Sequence, residues 1–254
     1  MKLQYFPEQI LELTQLQVLN LSGNHITNFP YRFFMLRFLT ELYLRNDFLE
    51  FLPAQVCTLV QLEVLDLANN FIRTLPYSSG HLTRLRWLNL QNNQITNLPS
   101  SLADMNGLCY LNLEANELKI FPEEVSQLSR LRVLHLNSNN LRALPESFKL
   151  LNHLRILYLK DNKLRVLPDW FASFHCLAYL SMENNDLVCF PGEISKLTSL
   201  EVLILSGNSI RELPDSIKEL VNLKELFLGR NKIRKLPPSI TKLEKLQVLY
   251  LQEN

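Results

Sequence analysis

The chain has 254 residues, 47% of them hydrophobic, and its 26 basic and 25 acidic side chains leave a formal charge of only +1. That balance is too mildly basic to argue for a nucleic-acid binder, which normally demands a strongly basic stripe, and apolar runs broken every second or third residue exclude a membrane span of ~20 apolar residues. Four scattered cysteines, Cys57, Cys109, Cys176 and Cys189, show no C-x-x-C spacing and are too few for a disulfide scaffold, so they are read as reduced thiols.

From Leu16 onward the chain repeats every 23 residues without insertion or deletion, as far as Leu246. The unit reads L-x-x-L-x-L-x-x-N-x-[LI]-x-x-[LF]-P-x-x-I-x-x-L-x-x. A fixed period of this kind predicts a stacked array in which each unit covers its neighbour's apolar face and none folds alone. The expected organisation is a single domain: a partial repeat over 1–15, ten full repeats over 16–245 and a partial repeat over 246–254.

The opening segment, Met1-Lys-Leu-Gln-Tyr-Phe-Pro, lacks the basic and apolar regions of a secretion signal and fits the second half of a repeat, with Met1 at the asparagine position. A location inside the cell, in the cytoplasm, is expected. In repeat one, Asn20-Leu-Ser22 is a formal glycosylation sequon on a predicted strand, a weak match. The following outer segment contains Phe33 and Leu36, which the repeat requires inside, and three surplus apolar residues, Phe34, Met35 and Phe38. These suit either a contact with another domain or extra packing.

Repeat two carries Asp47 where the other units carry asparagine, from Asn24 and Asn70 to Asn254. An asparagine amide both accepts from and donates to backbone left unpaired at the strand end. A carboxylate cannot donate, so the turn there is expected to be looser, or a water or neighbouring donor to compensate. Repeat three has Ser79 and Gly80 where Val or Ile is expected, which predicts a loose outer surface.

Repeat four shows the unit plainly. Period-two alternation in Leu85-Arg-Trp-Leu88-Asn-Leu90 sends Leu88 and Leu90 inward and Trp87, Asn89 and Gln91 outward, a short strand pairing in parallel with its neighbours. Asn93 ends the strand. In Leu98-Pro99-Ser-Ser-Leu102-Ala-Asp-Met105 the apolar spacing of three suits a 3₁₀ or short α-helical turn with proline at its first position. Acids follow the proline in Pro122-Glu-Glu, Pro168-Asp and Pro214-Asp, at the positive end of the turn. In repeat seven, Trp170 stands on the outer turn. At the far end, Leu246, Leu249 and Leu251 are expected on an open edge strand without a cap, which suggests a piece of a longer protein.

This pattern, with eleven of twelve prolines on one repeat position, resembles the leucine-rich repeat family, and within it the intracellular 23-residue Leu-Pro class of Ras-suppressor, Erbin and Scribble type repeats. The resemblance covers the whole chain. It implies an α/β solenoid with a curved parallel β-sheet on its concave face and short 3₁₀ or α turns on its convex face. It further implies a non-catalytic protein-interaction module, an intracellular adaptor or scaffold in signal transduction whose partner is a protein such as a small GTPase.

Leucines, prolines and asparagines are consumed by the scaffold, so function is sought on outward strand positions. No phosphate-cradling, metalloprotease or nucleophile-elbow motif is present, and six glycines leave little material for such loops. No cofactor or metal is expected. His135, expected near Glu114 and Tyr158, has no water-excluding pocket to tune it for acid–base work. Trp87, Tyr110, Tyr158 and Tyr179, with His135, cluster in the middle repeats and are candidate protein-binding anchors, though aromatic residues are also good strand formers. Arg86, Arg132 and Arg155 border the strand starts beside them. The charge is uneven, with 8 basic and 12 acidic residues in 1–127 against 18 and 13 in 128–254, and Arg142, Arg165, Arg211 and Arg234 form a separate ladder beyond the asparagine turn. Two other functions stay open: the targeting segment of a larger enzyme such as a ubiquitin ligase or kinase, and an extracellular receptor fragment, which predicts a signal peptide and cysteine-rich caps.

Overall fold

The computed structural model describes residues 2–254; Met1, expected at an asparagine position, lies outside the described residues. The chain divides into two compact units, one of residues up to Leu118 with Pro122–Leu131, the other of Lys119–Phe121 with Arg132–Asn254.

The first unit contains strands β1 (Val18–Asn20), β2 (Glu41–Tyr43), β3 (Val64–Asp66), β4 (Trp87–Asn89) and β5 (Tyr110–Asn112). They pair in parallel in chain order, with Val18 opposite Glu41, Val64 opposite Trp87 and Trp87 opposite Tyr110. The second unit repeats the arrangement with β6 (Val133–His135), β7 (Ile156–Tyr158), β8 (Tyr179–Ser181), β9 (Val202–Ile204), β10 (Glu225–Phe227) and β11 (Val248–Tyr250), again parallel and in register. This is the leucine-rich repeat solenoid expected from the period.

Each strand is three residues long, and its central leucine points inward. Leu42, Leu88, Leu157 and Leu203 are fully buried, as are Leu67, Leu90 and Leu205 two residues further on. Burying one such side chain contributes about 1.5–3 kcal/mol, and the repeat supplies several of them per unit. The leucine that opens each inner repeat, from Leu39 to Leu223, is buried too.

Asparagine ties the strand ends together. Asn93 Nδ2 donates to the carbonyls of Leu67, Leu90 and Gln91 at 3.0, 3.1 and 3.2 Å, while its Oδ1 accepts the Ile72 N–H at 2.9 Å. Asn231 does the same in the second unit, donating to Leu205 and Leu228 and accepting from Ile210. One side chain therefore satisfies backbone groups of two successive repeats. One residue before it the chain enters the left-handed region at Asn46, Asn69, Asn92, Ser138, Asp161 and Asn184. Glycine takes that position at Gly207, where φ is +69° and an added Cβ would stand 2.0 Å from Asn184 Oδ1.

The outer side of each repeat is a five-residue 3₁₀ turn. Proline does not occupy its first helical position, as the sequence suggests, but precedes it: Pro99 is extended, with φ −71° and ψ 147°, ahead of the turn Ser100–Asp104. Its carbonyl accepts the first turn bond, from Leu102 N–H at 2.9 Å. The missing proline N–H costs nothing there.

Three local expectations need correction. At Asp47 the turn is not looser, since Asn46 keeps the same φ of 54° as its equivalents. The carbonyls that Asp47 cannot serve still receive donors from the neighbouring rungs, Leu44 from Asn70 Nδ2 and Leu21 from Asn24 Nδ2, each at 2.7 Å, while Asp47 Oδ1 accepts a long 3.4 Å contact from Ile26 N–H and buried Oδ2 has no partner. Burial accordingly pushes the Asp47 carboxyl above the ordinary carboxylate range. Around Ser79 and Gly80 the outer surface is tight rather than loose, both residues being buried. A Cβ on Gly80 would lie 2.4 Å from the Ser101 carbonyl oxygen, so small residues let the turn Tyr77–His81 and the turn Ser100–Asp104 approach closely. Phe34 is not surplus: it is buried against Phe33, ring centroids 5.1 Å apart, while Met35 and Phe38 are exposed. Trp170 joins an aromatic cluster on the turn side, 6.1 Å from Phe148 and 6.3 Å from Phe174. Leu249 on β11 is 39% exposed, as an open strand predicts.

Candidate recognition face

The outward strand positions place one side chain per repeat in rows spaced by about 4.8 Å. The parallel register sets Trp87 beside Tyr110, and their rings stack at 5.1 Å with an interplanar angle of 13°. Both are half-buried. Such a pair is worth about 0.5–1.5 kcal/mol beyond area burial, which holds the rings in place before any partner arrives. Arg86, next in the chain to Trp87, is exposed, with Nε 3.6 Å from Glu63 Oε2. Together with Arg84 and Arg130 these two residues line a shallow cleft beside the strand starts.

The second unit carries the other cluster. His135 stacks on Tyr158 at 4.2 Å and 19°, and Tyr158 meets Tyr179 at 4.9 Å and 49°. Burial holds the His135 imidazole down to about 4, so it is neutral near pH 7. Burial, then the neighbouring Tyr158 and the charges of Glu225 and Glu183, push the Tyr179 hydroxyl up to about 12. Neither group is poised to exchange a proton near neutrality. Arg132 and Arg155 are exposed at the strand starts of this unit. The eight residues singled out by sequence are thus divided, three in the first unit and five in the second.

Two features of the strand face were not singled out from sequence. In the first unit Tyr43 donates to Glu41 Oε2 at 2.7 Å, and Arg45 Nε lies 3.4 Å from Oδ2 of buried Asp66. The hydrogen bond to Glu41, followed by burial, raises the Tyr43 hydroxyl above its ordinary value, and burial does the same to the Asp66 carboxyl. In the second unit Phe227 stacks on Tyr250 at 5.0 Å and 11°. The signal was present, because these residues occupy the same outward rows. Asn89 stands in the same outward row beside Asp66 yet is only 5% exposed, its Oδ1 accepting the Gln91 N–H at 3.1 Å.

Among the described residues no group of His, Cys, Asp and Glu is arranged to hold a metal ion, and no helix is long and apolar enough to cross a membrane. The four cysteines are free thiols.

Models of leucine-rich repeats match nearly the whole sequence: a leucine-rich repeat region over residues 100–206, a leucine rich repeat over 37–95 and 198–254, and a further one over 15–36. Among solved structures, the chain is similar to a leucine-rich repeat protein of Leptospira interrogans, at 29% identity over 98% of this chain and 81% of that one, with a TM-score of 0.69. It is also similar to the Arabidopsis receptor kinase HAESA, solved in complex with the peptide hormone IDA and the co-receptor SERK1, at 27% identity over 97% of this chain and 43% of that one, with a TM-score of 0.81. TLR13, solved in complex with ssRNA13, is similar at 29% identity over 97% of this chain and 37% of that one, with a TM-score of 0.82. The chain therefore spans about four-fifths of the Leptospira protein and less than half of the other two. No curated protein sequence matches it.

Proposed function

The chain belongs to the leucine-rich repeat family, whose fold is a typical protein–protein interaction module, and from that premise we propose that it is a non-catalytic module binding a protein partner on its strand face. The observation that carries this reading is the Trp87–Tyr110 stack, two large rings fixed at 5.1 Å on a hydrogen-bonded sheet and left half-buried. Aromatic side chains of this kind dominate binding hot spots, where truncation costs about 2 kcal/mol or more. Their mutual stacking reduces the entropy lost on binding. His135, Tyr158 and Tyr179 extend the same chemistry in the second unit, with Arg86, Arg132 and Arg155 at the strand starts.

Resemblance to the 23-residue Leu-Pro class supports an intracellular adaptor or scaffold role in the cytoplasm, with a small GTPase or another signalling protein as partner. The unbroken period supports reading the 254 residues as one array. A second reading, the recognition segment of a larger enzyme such as a kinase or ubiquitin ligase, is favoured by the similarity to HAESA, a receptor kinase of which the chain covers 43%.

The test is an affinity capture from cell lysate read by mass spectrometry, comparing the chain with Trp87→Ala/Tyr110→Ala after circular dichroism confirms equal folding. A partner lost with the double substitution supports the strand-face reading. Retention of every partner overturns it.

A further inference from the structure

Beyond the strand face, the second unit carries a separate charged surface on the loops that follow the asparagine turn. One cleft there is lined by Arg142, Lys163, Arg165 and Asp186, and another by Arg211, Glu212, Lys232, Arg234 and Lys235. Seven cations stand against two carboxylates, although the chain as a whole carries only +1. None of the seven is in an ion pair or side-chain hydrogen bond among the described residues, whereas Lys149, Lys160, Lys224 and Arg230 elsewhere in this unit are paired. Apolar side chains stand at neighbouring loop positions: Ile120 is 78%, Val166 65% and Val188 61% exposed. The inward leucines between them, Leu141, Leu164 and Leu187, are fully buried, so these branched residues are additional to the core.

We infer that this loop surface of the second unit docks on an anionic lipid bilayer, its unpaired arginines and lysines engaging headgroup phosphates and carboxylates while Ile120, Val166 and Val188 enter the interface. Shape selects the bilayer over a bound acidic strand. A strand needs one unbroken line of cations, but the line through Arg142, Arg165, Arg211 and Arg234 is interrupted at Val188, and Lys163, Lys232 and Lys235 lie to either side of it. The cations fill a field on the order of 20 Å by 10 Å, from repeat spacing and strand rise. Unpaired basic residues interleaved with exposed aliphatic ones match the charged and apolar layers of a bilayer surface. Asp186 and Glu212 oppose the binding, which makes it dependent on lipid charge density and on salt.

The experiment is co-sedimentation of the full chain with vesicles of phosphatidylcholine alone and of phosphatidylcholine mixed with phosphatidylserine. Partition onto the phosphatidylserine vesicles only, falling as salt rises, is the expected result. Each basic side chain at an anionic surface strengthens binding about five-fold, so Arg165→Gln/Arg211→Gln/Arg234→Gln weakens it about a hundred-fold. Val166→Ser/Val188→Ser weakens it by a smaller factor, and Asp186→Asn/Glu212→Gln strengthens it. Circular dichroism checks each fold, and the last variant, with its opposite sign, keeps the test decisive if the arginine variant is unstable. Equal partition by the parent and by both charge variants overturns the inference. So does a parent that ignores phosphatidylserine vesicles, whether or not it binds a fluorescent oligoglutamate peptide or a single-stranded oligonucleotide.

Discussion

The two units use the same backbone for opposite surface chemistry. In the loop after the asparagine turn the first unit presents Phe48, Phe51 and Phe71, each between 43% and 57% exposed, with Phe48 stacked on Phe71 and His25 edge-on to Phe48. The second unit presents Lys163 and Lys232 at the positions equivalent to Phe48 and Phe71, and Lys235 at the position equivalent to Phe51. Yet the loop bonds are the same: Phe71 N–H donates to Leu49 and Lys163 N–H to Leu141, each at 2.8 Å. Fold and surface are therefore separable in this repeat. Inward leucines and the asparagine make the scaffold, and outward positions vary without disturbing it.

The scaffold itself differs at one rung. Asparagines 162, 185, 208 and 231 continue the ladder through the second unit, whereas the first unit interrupts it with Asp47. Transplanting the interruption should give the largest effect: Asn162→Asp removes donors to Leu136 and Leu159 carbonyls at 2.8 and 3.2 Å and should cost about 3 kcal/mol. The reverse change, Asp47→Asn, supplies the missing donor and should stabilise by about 1–2 kcal/mol. Midpoints of urea unfolding at pH 7 measure both. Equal and small effects would mean that the rung contributes nothing in either unit.

The units also respond to acid with opposite signs. His135 titrates at about 4 when folded against about 6.5 ordinarily, so the unfolded chain binds more protons. Its contribution is complete above pH 6.5 and is lost as pH falls towards 4. Comparison with His135→Gln should show about 2 kcal/mol of this loss at pH 5. Asp47 is raised instead, so the folded chain holds the extra proton. Its penalty is full above the raised value and fades as pH falls towards 3.8. The Asp47→Asn gain should therefore shrink in acid while the His135 loss grows. Parallel pH dependences for the two variants would break the contrast.

Close packing around Gly80 is a third difference, and a smaller one. Gly80→Ala should destabilise by about 1–3 kcal/mol, because the Ser101 carbonyl is backbone and cannot swing aside. Ser79→Val restores the repeat's usual type and removes a buried hydroxyl without a partner, with a gain of about 1 kcal/mol if the volume is accommodated. Thermal unfolding separates the two signs.

These places also mark where the sequence ceased to be legible. The strands, the inward leucines, the asparagine bonds and the 3₁₀ turns follow from one repeat read alone, because each depends on spacing within a repeat or on its copy one period away. Burial of Phe34, closeness at Gly80 and concealment of Asn89 depend on which particular side chains meet across neighbouring repeats. The pattern treats all occupants of a position alike and cannot distinguish them. Stacking of Trp87 on Tyr110 was legible as adjacency in a row, but the neutral state of His135 was not, since it arises from burial that no motif records.

The smallest expected effect concerns the aromatic loop residues of the first unit. Phe48 and Phe71 stack at 6.0 Å and 18°, half in solvent. If the stack is a structural substitute for the unpaired cations of the second unit, a double-mutant cycle with Phe48→Ala and Phe71→Ala should give a coupling of about 0.5–1 kcal/mol. Lys163→Ala, at the position equivalent to Phe71, should change stability by no more than about 0.5 kcal/mol, as an unpaired surface cation does. A negligible aromatic coupling would place both loops in one class, free of structural duty. Their different chemistry would then reflect what each unit meets rather than how each is held together.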